Sequence, residues 1–191
     1  QKVSQQAIRA GINPRSDESR QWFRTKLQDM RRINRRELMQ QDEIKLVNKS
    51  QPLIGSMNMF FYDAKHKETL PYYDQFPLSI IVKGAPGGFM GLNLHYLPPV
   101  LRAKMLDGLM ETVNNKRYDE STRFQITYKM LQATAPLKFY KPCLKHYLFS
   151  QIKSRLARVE APEWEIATFL PTADWSGSSS SKVYQDSRKI I

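Results

Sequence analysis

Cysteine is nearly absent: Cys143 stands alone in 191 residues. No intrachain disulfide can form, and a cysteine-rich zinc site is excluded. Histidine is scarce as well, and His66, His95 and His146 show no metal-ligand spacing of the His-x-x-x-His kind. No apolar run approaches the roughly 18–20 residues that cross a bilayer. The opening Gln1-Lys2-Val3-Ser4-Gln5-Gln6 has no signal-peptide apolar core. These absences lead us to expect a soluble chain made in a cytoplasm, without membrane contact, metal or cofactor. Acidic residues are also in deficit: 18 Asp plus Glu face 30 Lys plus Arg, leaving a net charge of +12. Such an excess attracts an acidic partner, whether nucleic acid, an anionic membrane or an acidic protein face.

What is present fits one domain with arms. Residues 1–15 read as a polar N-terminal arm. Ser16 with Asp17 and Glu18 has the form of a helix start, and Trp22, Phe23, Leu27, Met30, Ile33 and Leu38 recur at helical steps, predicting a long basic helix over 16–47. A linker ending in Pro52 leads to the stretch where aromatic and turn residues crowd together. There a small antiparallel sheet, barrel-like in its curvature, is expected over about 57–96, with strands at 57–62, 78–82 and 89–96 and a glycine-rich turn at 84–88. Pro71 and Pro77 bracket a stiff connection.

Helices are expected over 98–157. Pro98 and Pro99 open the first, with Val100, Leu101, Met105, Leu106, Leu109 and Met110 on its buried side. Phe124, Tyr128 and Leu131 mark a second, and Leu144, Tyr147, Leu148, Ile152 and Leu156 stripe a third. A short helix over 162–170 is anchored by Trp164 and Phe169. Residues 171–191, with their serine run, read as a C-terminal tail that orders only by docking Trp175 and Tyr184 on a partner. The fold class is α+β, with extended termini.

The densest basic feature is Arg31, Arg32, Arg35 and Arg36; Lys145, Lys153, Arg155 and Arg158 form a second basic surface. Arginine's planar fork suits phosphate, and each such contact releases counterions. The same residues also suit a solvated helix face paired with acids at helical spacing. Both readings stay open. No catalytic motif is complete. His95 beside Tyr96 is the one histidine worth testing as catalytic, and a hydrogen-bonded structural role is the simpler account. Cys143 reads as a small buried hydrophobe. Asp63, Glu68 and Asp74 match no nuclease spacing, and an aspartate after Pro-Tyr-Tyr more simply bonds nearby amides. The glycine-rich turn lacks the Gly-Lys-Ser/Thr ending of a phosphate loop. Tyr72 and Tyr73 suit base stacking and corner packing alike. Together with Asp74, Phe76, Phe89, His95 and Tyr96 they form the structural centre.

That centre carries a resemblance. Met59-Phe60-Phe61-Tyr62-Asp63-Ala64-Lys65, then Thr69-Leu70-Pro71-Tyr72-Tyr73-Asp74-Gln75-Phe76-Pro77-Leu78, then Gly88-Phe89-Met90-Gly91-Leu92-Asn93-Leu94-His95-Tyr96-Leu97-Pro98 resemble a segment of the small virion proteins of T4-like contractile-tailed bacteriophages. The likeness is firmest over 57–110. It implies a baseplate or hub component, a neck component, or a head-completion protein that protects the packaged DNA end. The leading expectation is a non-enzymatic virion protein of the tail or baseplate, assembled in the host cytoplasm into a symmetric hetero-oligomer with other virion proteins. The alternative is a DNA-binding, end-protecting protein at the neck, gripping double-stranded DNA through Arg31, Arg32, Arg35, Arg36, Lys153 and Arg155.

Overall fold

Strand formation centres on a proline-glycine turn. In the computed structural model, which describes residues 17–31, 53–112, 139–160 and 163–191, β3 (Leu78–Ala85) and β4 (Gly88–Asn93) pair through Ala85 and Gly88. Pro86 and Gly87 are left as the two turn residues. Proline presets the first turn position, and Gly87, at φ 69°, takes the second without the penalty a side chain would bring. β1 (Met57–Met59) pairs with β3, and β6 (Ala157–Val159) with β1. β5 (Leu144–Leu148) adds to the other side, giving an antiparallel sheet of order β5-β4-β3-β1-β6. A two-stranded ribbon joins β2 (Tyr73–Asp74) to β7 (Trp175–Ser176).

Both faces of the large sheet are covered. One buries Met57, Met59, Leu78, Ile80 and Leu92 against helices α1 (Asp17–Arg31), α2 (Pro99–Thr112), α4 (Trp164–Phe169) and α5 (Ser180–Ile190). Leu106, Leu109, Trp164 and Val183 are the helical side of that core. The other face gathers Phe60, Tyr62, Phe89 and Tyr147, whose rings meet largely edge to face, as their quadrupoles favour. α1 is pinned to the sheet edge: Trp22 Nε1 donates to Glu163 at 2.7 Å, and Lys26 Nζ reaches both that carboxylate at 2.7 Å and the Arg158 carbonyl at 2.8 Å.

Helices and antiparallel sheet make the chain α+β, but the sheet is open, with no closed barrel among the described residues. The helix expected over 16–47 is described only for Asp17–Arg31, and the helix expected around 124–131 lies outside the described residues. On α2, Val100 is exposed, at 60%, and not part of the buried side. No helix among the described residues is long and apolar enough to cross a membrane.

The helix expected to end near Ala157 is replaced by a short α3 (Tyr140–Cys143), strand β5, a 3-10 turn and β6. Its apolar spacing does fit a helix. What overrides it is long-range: the outer ladder of β4 needs a partner, and β5 supplies one along Gly88 to Leu92. The tail is likewise corrected. Ser179 caps α5 by accepting from the Lys182 amide, and Val183 and Ser187 are buried against the body of the same chain. Gly177, at φ 85°, makes the bend between β7 and α5, and a side chain there would meet the Pro71 carbonyl. The serine run that suggested flexibility is a helix start.

Gly88 gives the β5 pairing a test. A Cβ at this position would fall 1.8 Å from the Tyr147 carbonyl oxygen. Gly88→Ala is expected to destabilise the protein by about 3 kcal/mol, read as a lower urea midpoint. A midpoint equal to the parent's would contradict the register.

Candidate nucleic-acid interface

The end of β2 delivers Asp74 into the interior, where its carboxylate is surrounded by donors. Oδ1 accepts from the Phe76 amide at 2.9 Å and the Asp174 amide at 3.1 Å. Oδ2 accepts from Asn93 Nδ2 at 2.9 Å and lies 2.7 Å from His95 Nδ1. The other ring nitrogen, Nε2, lies 3.1 Å from the Thr172 hydroxyl. Burial pushes the His95 pKa down, so the ring is neutral; its proton sits on Nδ1, and Nε2 accepts from Thr172. Burial opposes the charge on Asp74, but the facing imidazole and the hydrogen bonds more than offset it, and the carboxyl titrates below its ordinary value.

Hydroxyl, imidazole and carboxylate stand here in the order of a hydrolase triad. The resemblance ends at access: His95 is 0% exposed, so its ring cannot meet a substrate. The arrangement is a tie between β2, the end of β4 and residues 172–174. A second tie is the buried Arg102, which donates to the carbonyls of Leu97 and Thr168 and to the Tyr184 hydroxyl, at 2.6, 3.0 and 2.9 Å. It fastens α5 to α2 and to the end of α4.

The elements these ties hold, among them β2 and α5, line a cavity of about 630 Å³ together with the 62–72 region and β5. Five tyrosines line it: Tyr62, Tyr72, Tyr73, Tyr96 and Tyr147. Tyr72 donates to Asp186 at 3.2 Å and Tyr73 to Asp63 at 3.0 Å, which fixes both rings. Trp175 packs edge-on to Tyr96 at 4.8 Å and to Tyr72 at 6.0 Å. The basic lining comes from Lys65 and His66 on one loop and from Lys145 and His146 on β5. His146 reaches the Pro86 carbonyl at 3.0 Å. Lys145 Nζ lies 4.1 Å from the centre of the Tyr96 ring, and burial pushes its pKa down. A concave surface that joins aromatic faces to cations is the combination that binds nucleic-acid strands.

Comparison with known families then decides the kinship. The family described as phage T4 terminal DNA protecting protein matches residues 5–190. The chain belongs to that family. No curated protein and no solved structure matches it. The terminal DNA protecting family agrees with the end-protecting alternative, and lends nothing specific to a tail or baseplate position.

In this member of the terminal DNA protecting family, Tyr72, Tyr73, Asp74 and Tyr96 come together at the cavity, with His95 buried behind them. Phe76 and Phe89 belong to the two cores. Trp175 buttresses the cavity and Tyr184 holds Arg102, so both serve this chain's own fold. Lys153 is exposed and Arg155 half-buried on the segment between β5 and β6, outside the cavity and on no helix. Arg31 ends α1, while Arg32, Arg35 and Arg36 lie outside the described residues. Sequence reasoning missed Lys65, His66 and His146 and set Lys145 on a helix; its alternation with Tyr147 along a strand was the available signal. Cys143 is buried and its thiol is pushed up to about 12, which leaves it inert. Among the described residues no group of three or more His, Cys, Asp or Glu could hold a metal ion.

Both buried titrating groups weaken the fold in acid. The unfolded His95 takes up a proton near pH 6.5 while the folded ring resists it, so its contribution is full above that value and is lost as pH falls through it. Asp74, with its carboxyl lowered from 3.8, adds a second loss below about that pH. Urea midpoints taken from about pH 8 down to about pH 5 should fall once below 6.5, and His95→Gln should flatten that fall. An equal slope in the variant would contradict the neutral, buried ring.

Proposed function

We propose that this chain is a virion protein that shields the ends of packaged DNA by occupying them, without breaking or making bonds. The observation that carries this reading is the tyrosine-lined cavity with its lysines and histidines, in a chain of the terminal DNA protecting family. The interior of a duplex offers a protein groove edges and phosphates. An end alone offers an open base face and a terminal phosphate, and a cavity of about 630 Å³ holds little more than one such nucleotide.

Shielding of this kind needs contact, not chemistry. The net charge of +12 supplies long-range attraction. Arg31, Arg32, Arg35 and Arg36, with Lys153 and Arg155, would hold the duplex backbone behind the end, and other virion proteins would complete the surroundings. We assign the chain no catalytic step.

Linear blunt duplex incubated with the protein should resist a double-strand exonuclease. The protein concentration needed should rise with salt, the log affinity falling by about 0.9 per phosphate contact for each log unit of salt. Digestion at an unchanged rate with saturating protein in low salt would overturn the reading.

A further inference from the structure

Among the described residues the Lys145 ammonium has no acidic counterpart. It is half-buried, it rests on the face of Tyr96, and among the described residues no carboxylate or hydrogen-bond acceptor is in reach of it. An ammonium carries three donors, and withdrawing them from water without acceptors is costly. The acids nearby are already committed. Asp74 receives its donors from Phe76, Asn93, His95 and Asp174. Asp63 is held by Lys67 and Tyr73, and Asp186 by Lys182 and Tyr72. The described residues therefore line a cavity with a cation that none of them neutralises, and Lys65 adds a second positive charge to that lining.

The rest of the lining is aromatic. Tyr72 and Tyr73 are half-buried, so each keeps part of its surface open, and their hydroxyl bonds hold them in place. Every base has a π-face, so such rings accept any base in a stack. The cavity's 630 Å³ lies within the roughly 300–1,000 Å³ of small-molecule sites. An inorganic anion would satisfy Lys145 and leave the rings unused. An apolar ligand would do the reverse.

We propose that this cavity is a nucleoside monophosphate site, with the phosphate on Lys145 and the base against the tyrosines, and that its occupant is the terminal nucleotide of a DNA strand. The nucleotide chemistry stands on the cavity alone; the DNA terminus as its source rests on the end-shielding reading.

Calorimetric titration of the full chain with 5′-deoxyadenosine monophosphate, deoxyadenosine and inorganic phosphate tests it. The monophosphate should bind saturably and at least about tenfold more tightly than either fragment. Lys145→Met should weaken that binding by about tenfold or more with the urea midpoint largely retained, because it removes the charge and keeps an apolar stem to pack on Tyr96. Tyr73→Leu should weaken it too. Monophosphate binding no tighter than that of phosphate, or unaltered by both variants, overturns the site. Linear duplex should displace the bound monophosphate and closed circular DNA should not; displacement by neither overturns the terminal source. Exonuclease protection without monophosphate binding would remove the site and leave end shielding in place. Monophosphate binding without protection would do the opposite.

Discussion

The buried Asp74 carboxylate holds the working parts of this protein in register. The Asp74 carboxylate is out of water, and a carboxylate there is tolerated only if its lone pairs are filled. The chain fills them from places far apart in sequence: the amide of Phe76, the side chains of Asn93 and His95, and the amide of Asp174. The last of these brings residues 172–176 against β2. From there Gly177 turns the chain into α5, and Arg102 fastens α5 through Tyr184. The cavity wall made by α5 thus depends on a hydrogen-bond network two segments away.

The same network takes residues of catalytic type out of reach of a ligand. Asp74, His95 and Thr172 are spent on one another, and Cys143 is buried with its thiol protonated. What stays open to a ligand is the set of groups that bind without reacting: tyrosine faces, Lys145 and Lys65. A protein that protects DNA by covering its ends requires affinity and shape. It does not require a nucleophile.

Much of the fold was legible where local chemistry decides it. A turn within 84–88, a buried strand from Leu78 and a helix opening at Pro98-Pro99 follow from φ preferences and apolar pattern; the structure has them, with the strand running on to Ala85 and the turn narrowed to Pro86 and Gly87. Residues 144–157 were not legible, because a stripe at 144, 147, 148, 152 and 156 satisfies a helix, and only the open ladder of β4 selects a strand. The tail failed for a related reason: its composition is that of a linker, and the Asp174 and Arg102 contacts that order it come from residues about 100 and 80 positions away. For the site, Tyr72, Tyr73, Asp74 and Tyr96 stood out as a centre. Their charged neighbours did not, since Lys65 and Lys145 meet only through the tertiary fold.

The proposed site places DNA ends at this cavity and not along the arginine-rich segment 31–36. Hydrogen–deuterium exchange of the protein with a blunt-ended duplex, compared with closed circular DNA, tests it directly. Added protection is expected in residues 72–74, 144–148 and 183–190 with the ends and not with the circle. Protection confined to α1 and the arginines that follow it, or equal with both DNAs, would contradict it.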